Sequence, residues 1–359
     1  MLVFGSNNNY QLQITNYQLQ IYMKIIFFGT PEFAVPTLSS LLTHPEFEVV
    51  AVVTQPDKRR GRGNQLMPSP VKMAALNHSL PVLQPSRIKK DAETIAKLRA
   101  AEADVFVVVA YGQILSQEIL DIPNIACINV HGSILPKYRG AAPIQRCLYD
   151  GEKETGITTM LMDAGMDTGA MLLKDFAGIT LLDNADSLGD RLSEIGADLL
   201  VETLVKFRDG KIEAIPQNEA EATYAPMIKG VDFVLDWSKS AIALHNQVRG
   251  FHPDCTTTFR GNSLKVMATA PVGPEYWLQL PPELRVLERE WPVLSQLSGE
   301  NGAVVKVVKG LGAIVQTGNG LLLLREVQLA GKKVQSGVDF ANGTRLVAGE
   351  IFGKVEATG

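Results

Sequence analysis

Asn129 and His131 lie two residues apart in the segment CINVHGSILPKYRGAAPIQ, directly after an apolar stretch. Alternate side chains of an extended strand point to the same face, so the carboxamide and the imidazole would lie side by side. An amide N–H and a protonated imidazole can both stabilise an oxyanion. Two aspartates, Asp163 and Asp167, follow in MDAGMDTGA. A carboxylate there could favour the charged imidazole and help to move protons.

This set of side chains suits the transfer of an acyl group to an amine. Taken singly, a histidine at a strand end is more often structural, and aspartates beside glycines are usually turn formers. The sequence contains no GxSxG elbow, and Ser133 has no obvious base other than His131. Direct transfer is therefore favoured over a covalent acyl-enzyme.

The elements that must position these residues begin at Met23. The segments KIIFFG, EVVAVVTQP and ADVFVVVAYG are apolar on both faces and alternate with helical segments. Such strands indicate a parallel sheet covered on both sides, which predicts a doubly wound, Rossmann-like α/β domain over residues 23–208. Ligands of such sheets bind beyond the carboxyl ends of the strands.

The remaining segments predict a second domain and two additions. Residues 209–229 are irregular and are expected to form a linker. Residues 230–359 carry short strands with glycine turns, which favours a smaller OB-like β-barrel. Residues 275–297, rich in Pro, Leu and Glu, are interpreted as a surface insertion. Residues 1–22 repeat NYQLQI, lack the apolar run of a signal peptide and are interpreted as an extension outside the fold.

The bulk composition limits the possible partners and the compartment. The net charge is −4 and the pI about 5.8, so a nucleic-acid site would need a local basic surface. Three cysteines without a CxxC pair predict neither a disulfide nor a metal framework and favour a reducing cytoplasm. No apolar run approaches the ~20 residues of a membrane helix.

A basic loop interrupts the α/β alternation in QPDKRRGRGNQLMPSPVK. It is interpreted either as a solvated charged surface or as a loop beside the site that grips a nucleic acid. Its positive residues, which outnumber Asp57, are Lys58, Arg59, Arg60, Arg62 and Lys72.

Several motifs in one order carry a resemblance over nearly all of the chain from Met23 to about Phe340. They are FFGTPEFAVPTL, VVTQPDKRRGRGNQLMPSPVK, ADVFVVVAYGQIL, NVHGSILPKYRGAAPIQ, MDAGMDTGAM, TYAPMI, LDWS and GLLLLREVQLAGKK. The chain resembles the formyltransferase family that uses 10-formyltetrahydrofolate. The N-terminal extension and the 275–297 insertion depart from the family pattern.

The resemblance implies a formyl donor, 10-formyltetrahydrofolate, and an acceptor, the α-amine of methionine on initiator tRNA. The amine would attack directly, through a tetrahedral intermediate. Asn129, His131 and Asp167 would form the catalytic set, with Asp167 rather than Asp163 in the family's acidic position. The folate would lie along residues that the resemblance supplies: Ser133, Ile134, Leu135, Pro136, Tyr111, Gly112, Leu115 and Asp163.

The resemblance also implies where the tRNA binds. Arg62 would contact the acceptor end, and Lys58, Arg59 and Arg60 would contact phosphates. In the OB-like domain, the backbone of the tRNA could follow Lys306, Lys309, Arg325, Lys332 and Lys333. We expect a monomer without a metal.

Other functions stay open at this point. Glycinamide ribonucleotide as the acceptor is disfavoured by the C-terminal domain, and an amino sugar nucleotide by the basic loop. A hydrolase would use water as the acceptor, and a non-catalytic tRNA-binding module would not need all three of Asn129, His131 and Asp167. A dehydrogenase is disfavoured because GTPEF lacks the GxGxxG fingerprint.

Overall fold

The computed structural model describes residues 22–60 and 65–353. Residues 1–21, and with them almost all of the expected extension, lie outside the described residues. The strands up to residue 225 are β1 (Met23–Gly29), β2 (Phe47–Val53), β3 (Lys58–Arg60), β4 (Gln65–Met67), β5 (Val82–Leu83), β6 (Val105–Val109), β7 (Ala126–His131), β8 (Arg139–Gly140), β9 (Glu154–Leu161), β10 (Met171–Gly178) and β11 (Tyr224–Ala225). The α-helices in this part are α1 (Val35–Thr43), α2 (Pro70–Asn77), α3 (Ala92–Ala100), α4 (Gln117–Leu120), α5 (Pro143–Asp150) and α6 (Ala185–Arg208).

Seven strands form the first sheet in the order β10-β9-β7-β6-β1-β2-β5. The strands from β5 to β7 are parallel, and the chain order reverses between β1 and β6. This arrangement confirms the doubly wound α/β prediction. The sheet is mixed, however, because β9 runs antiparallel to both β7 and β10.

The side chains of β1 show why its segment is apolar on both faces. Ile25 and Phe27 pack in one core with residues of α1, α2, α5 and α6. Ile26 and Phe28 pack in a second core with residues of α3 and α4 on the other face. A strand covered by helices on both sides cannot alternate apolar and polar positions.

The second domain contains an antiparallel sheet in the order β12-β13-β16-β15-β14, with β17 paired to β16. Its elements are β12 (Thr256–Phe259), β13 (Asn262–Val272), β14 (Val304–Val308), β15 (Gly312–Gln316), β16 (Leu321–Leu329), β17 (Gln335–Ser336), α7 (Ala241–Gly250), α8 (Val286–Leu294) and α9 (Gly337–Thr344). Within the described ranges β12 and β14 are not paired with each other, so the OB-like barrel is not confirmed. None of the helices in these ranges combines the length and the apolarity that a bilayer crossing requires.

Helix α7 joins the second domain to the first. The rings of Tyr149 on α5 and Phe251 after α7 stack with centroids 5.1 Å apart. The buried His245 of α7 lies with Nε2 2.7 Å from the carbonyl oxygen of Leu181. Burial lowers the pKa of His245 to about 3, so this hydrogen bond belongs to a neutral ring at physiological pH.

The 275–297 insertion is not confined to the surface, which corrects the sequence interpretation. It contains α8, and its buried leucines are Leu280, Leu284, Leu287 and Leu294. They pack on residues of β13, β15 and β16 and close a core of their own. The insertion therefore covers one face of the second sheet.

We expect Leu287→Ala to lower the free energy of unfolding by about 2–5 kcal/mol, because the fully buried side chain leaves a cavity. Leu278→Ala is the matched control, since Leu278 lies in the same insertion with 95% of its surface exposed. Denaturant unfolding of both variants measures the difference. Equal stabilities would mean that the insertion is a loose surface segment.

Candidate active site

His131 ends β7 with its ring buried and oriented by two neighbours. Its Nε2 lies 2.9 Å from the backbone carbonyl oxygen of Tyr138. A carbonyl oxygen only accepts, so Nε2 must donate this hydrogen bond. The other ring nitrogen, Nδ1, faces Asp167, whose Oδ2 is 3.7 Å away. Nδ1 is therefore the nitrogen at which the ring can gain or lose a proton next to a carboxylate.

Asn129 lies two residues earlier on the same strand, on the face of His131. It is 8% exposed, and its carboxamide forms no hydrogen bond with other described residues. A nearly buried amide without a partner is costly unless a ligand or water satisfies it. Its N–H groups are thus available beside the histidine.

Asp167 does not lie at the end of a parallel strand but in the loop that follows the antiparallel strand β9. β9 runs antiparallel to β7 and ends with Leu161 opposite Ile128, whereas His131 pairs with Thr158. The loop of residues 162–170 must therefore turn back toward His131. Asp167 lies in this loop with φ of +55°, and its Oδ2 accepts a hydrogen bond of 2.8 Å from the Gly140 N–H.

Asp163, the other candidate acid, stabilises the loop of residues 162–170 through hydrogen bonds within it. Its Oδ1 accepts hydrogen bonds from the Gly165 N–H at 3.0 Å and from the Thr168 hydroxyl at 2.7 Å. These contacts are typical of an Asx turn. The carboxylate next to His131 is therefore that of Asp167, whereas the Asp163 carboxylate binds within its own loop.

The segment from Ser133 to Pro136 follows His131 and is mostly buried. Ser133 is fully buried, and its hydroxyl donates to the Lys137 carbonyl oxygen at 2.6 Å. The Leu135 N–H donates to Thr158 Oγ1 at 3.1 Å. Ile134 is half-buried. The Ser133 hydroxyl is thus held by a carbonyl, whereas the His131 ring contacts Tyr138 and Asp167.

The segment from Tyr111 to Leu115 offers its backbone rather than its side chains. Tyr111 is buried, and burial holds the pKa of its phenol well above the ordinary value, with its hydroxyl unpartnered among the described residues. Its carbonyl accepts from Thr30 Oγ1 at 2.9 Å. The backbone N–H and C=O groups of residues 112–115 form no hydrogen bond within the described chain.

A cavity of about 490 Å³ adjoins this segment, and the sequence interpretation missed it. Its lining consists of Arg87, Lys89, Lys90, Gly112, Gln113 and Ile114. The three cations form no ion pair with other described residues. The signal was present in the motif SRIKK, which places three positive charges soon after β5.

β3 and β4 form an antiparallel pair within the basic segment, and we call residues 58–60 and 65–67 the basic hairpin. Lys58 pairs with Met67 and Arg59 with Leu66 across β3 and β4. Both positive side chains are exposed. Arg62 lies outside the described residues, and Arg60 is described for its backbone alone.

Asp57 and Lys72 neutralise each other at the base of the hairpin. Lys72 Nζ lies 2.8 Å from Asp57 Oδ2, and Gln84 Nε2 donates to Oδ1 at 2.7 Å. The hydrogen bond from Lys72 contributes most to lowering the pKa of the Asp57 carboxyl. This ion pair does not involve Lys58, whose exposed side chain forms no hydrogen bond or ion pair with other described residues.

The basic residues of the second domain that are expected to contact tRNA differ in their exposure and in their ion pairs. Lys306 Nζ forms an ion pair of 2.6 Å with Glu290 on α8. Arg325 is half-buried, while Lys309, Lys332 and Lys333 are exposed. The exposed lysines are the better candidates for a polyanion.

The geometry supports acid–base and oxyanion chemistry. It combines an unpartnered amide, an oriented imidazole and a carboxylate next to a free backbone edge. Within the described residues no group of three or more His, Cys, Asp or Glu side chains could hold a metal ion.

Solved structures share this fold at low sequence identity. HypX from Aquifex aeolicus aligns with a TM-score of 0.60 and 14% identity, over 92% of this chain and 49% of that one. WlaRD, described as a sugar 3N-formyl transferase in the presence of dTDP and 5-N-formyl-THF, aligns with a TM-score of 0.58 and 17% identity. That alignment covers 87% of this chain and 99% of that one.

Curated relatives are far more similar. The methionyl-tRNA formyltransferase of Trichormus variabilis is 66% identical over 331 residues, which is 92% of this chain and 99% of the relative. The enzyme of the same name from Trichodesmium erythraeum is 66% identical over 329 residues, 92% of this chain and 98% of the relative.

Two family models match consecutive parts of the sequence. The model for formyl transferase matches residues 23–204, and the model for the formyl transferase C-terminal domain matches residues 227–345. Together with the identity of the relatives over almost their full length, these matches show that the chain belongs to the formyl transferase family.

Proposed function

We propose that this protein transfers the formyl group of 10-formyltetrahydrofolate to the α-amine of methionine on initiator tRNA. The observation that carries the chemistry is the contact between His131 and Asp167 beside the unpartnered amide of Asn129. The choice of acceptor is supported by the relatives, which are 66% identical and are named methionyl-tRNA formyltransferase.

The reaction is a direct transfer through a tetrahedral intermediate. The amine nitrogen forms a bond to the formyl carbon, and the bond from that carbon to N10 of the folate then breaks. Asn129 donates an N–H to the developing oxyanion, and a protonated His131 adds positive charge. The Asp167 carboxylate stabilises the charged ring, and the proton lost by the amine passes to the departing N10.

The fixed tautomer of His131 supports these roles. Because Tyr138 accepts from Nε2, the second proton of the charged ring sits on Nδ1, on the side of Asp167. The Ser133 hydroxyl donates to Lys137, so it has no base to activate it. Both contacts favour a non-covalent path.

The folate is proposed to bind along residues 111–115 and 133–136. A pterin carries several hydrogen-bond donors and acceptors, and the free backbone edge of residues 112–115 matches this requirement. The cationic cavity beside it suits the carboxylates of the glutamyl part of a folate. Asp163 contributes by shaping the loop that carries Asp167.

The tRNA is proposed to bind across both domains. The chain is acidic overall, so a polyanion requires a local basic surface, which the basic hairpin and Arg62 supply. We propose a first domain at residues 23–208, a linker at residues 209–229 and a second domain at residues 230–359. We also propose that the second domain binds tRNA as an OB-like domain. We further propose a cytoplasmic monomer, in keeping with three free, buried cysteines.

Formyl transfer from 10-formyltetrahydrofolate should be measured with three acceptors in parallel: Met-tRNA, glycinamide ribonucleotide and an amino sugar nucleotide. We expect turnover with Met-tRNA and background rates with the other two. Transfer to the amino sugar nucleotide alone would overturn the proposal, and donor hydrolysis that is independent of any acceptor would indicate a hydrolase.

Alanine substitutions of Asn129, His131 and Asp167 should each lower kcat by about 10²–10³, because each removes part of one electrostatic unit. Their effects should not add in double variants. Asp175→Ala is the matched control, since Asp175 is an exposed aspartate on the neighbouring β10. Steady-state kinetics with Met-tRNA measures all four variants.

A covalent path through Ser133 predicts a different loss of rate in the same assay. Removing a true nucleophile costs on the order of 10⁶ in rate, so such a loss in Ser133→Ala would contradict direct transfer. Near-normal turnover in Asp167→Ala would show that the Asp167 carboxylate has no role in the mechanism.

Lys58→Ala should flatten the salt dependence of tRNA binding by about 0.7–0.9 in the log–log slope, the share of one phosphate. Arg62→Ala should raise KM for Met-tRNA while the affinity for folate stays unchanged. Lys206→Ala is the control, because that exposed lysine pairs with Glu202 on α6. If the salt slope of Lys58→Ala matches that of the control, the hairpin is only a solvated surface.

A further inference from the structure

The segment that leads from α6 to the second domain contacts both the loop of Asp167 and Tyr138, the hydrogen-bond partner of His131. We call residues 215–225 the connector. At its start, Ile215 and Met171 exchange two backbone hydrogen bonds of 2.8 Å. At its end, β11 pairs in parallel with β8. This part of the linker is therefore held against the first domain by backbone pairing and is not a free tether.

Gln217 in the connector uses both ends of its side-chain amide. Its Nε2 donates to the carbonyl oxygens of Asp167 at 2.7 Å and Gly169 at 2.8 Å. Its Oε1 accepts from Nε of Arg139 at 2.9 Å. One side chain thus ties the backbone of the acidic loop to the strand that carries Gly140.

Arg139 fixes the other end of this link. It is the largest fully buried side chain among the described residues, and its two terminal nitrogens bind Glu219 at 2.9 and 2.7 Å. Such bidentate, charge-assisted pairs hold geometry well. The next residue, Gly140, donates its N–H to the Asp167 carboxylate. Asp167 is therefore held at its backbone by Gln217 and at its carboxylate by Gly140.

The same connector supports the histidine. Thr223 Oγ1 accepts from the Tyr138 N–H at 2.9 Å, and the Tyr138 carbonyl accepts from His131 Nε2. Residues 217 and 223 of one segment thus contact the supports of both members of the catalytic pair.

Asp167 needs such support because of its backbone conformation. Its φ of +55° is uncommon for a residue with a Cβ and persists where the surroundings impose it. The loop follows an antiparallel strand that ends opposite Ile128. Strand pairing therefore does not fix the distance between the carboxylate and the imidazole.

We propose that Gln217 is a positioning residue for formyl transfer, which sets the placement of Asp167 against His131. The proposal rests on the proposed catalytic roles of those two residues. Gln217 touches no reacting atom, so its loss should lower kcat and leave the binding of both substrates intact.

Two substitutions separate positioning from general stability. Gln217→Glu keeps an acceptor for Arg139 but replaces the N–H donors with an oxygen that repels the carbonyls of Asp167 and Gly169. Gln217→Ala removes both contacts. Glu213→Gln is the matched control, because Glu213 is exposed in the same stretch of chain and its side chain forms no hydrogen bond or ion pair with other described residues.

The experiment measures kcat, KM for Met-tRNA and for the folate, and the melting temperature of wild type and the three variants. We expect kcat to fall on the order of 10- to 100-fold in both Gln217 variants with KM nearly unchanged. Gln217→Glu should be the more thermostable of the two and yet no more active. The control should match wild type.

The proposal is overturned if folded Gln217→Glu keeps wild-type kcat, if activity follows melting temperature across the variants, or if both variants fail to fold. If Gln217→Ala alone fails to fold, the kcat of Gln217→Glu decides whether Gln217 positions Asp167. Absence of formyl transfer by wild type to Met-tRNA would instead refute the proposed function, and the same variants would then be compared with the acceptor that wild type accepts.

Discussion

The contact between Asp167 and His131 depends on a loop that must turn back on its own strand. β9 ends opposite Ile128, three residues before His131 on β7, so sheet pairing alone leaves the acid short of the imidazole. The left-handed backbone of Asp167 and its hydrogen bond from Gly140 close this gap. A catalytic group that is misplaced by about 1 Å can cost on the order of 10² in rate, so in the proposed reaction the placement of this loop governs the rate.

The surrounding structure can be understood as support for that contact. The two-sided core holds β7 rigidly, and Tyr138 orients the ring of His131 through Nε2. The connector meets the acidic loop through Gln217 and then continues into the second domain. The second domain is thus joined covalently to the segment that contacts the loop of Asp167.

The sequence predicted the parallel strands well because strands buried on both faces leave a continuous apolar signal, as in Ile25–Phe28. It placed Asn129 and His131 on one face because the strand period is 2. It did not reveal that β9 is antiparallel, since apolar content does not encode strand direction. The insertion was interpreted from its Pro-, Leu- and Glu-rich composition, whereas the burial of Leu284 and Leu287 depends on packing against the second sheet. Gln217 and Arg139 meet across nearly eighty residues, a contact that no local pattern reports.

A crystal structure of the protein with a non-reactive folate analogue that carries a carbonyl group on N10 would show where the donor group lies. We expect the oxygen of that carbonyl group to lie about 3 Å from Asn129 Nδ2. It should also face His131, with Asp167 still beside Nδ1 and the pterin edge on the backbone of residues 112–115. A folate whose N10 lies away from Asn129 and His131 would contradict the proposed reaction, as would a carbonyl carbon in contact with Ser133 Oγ.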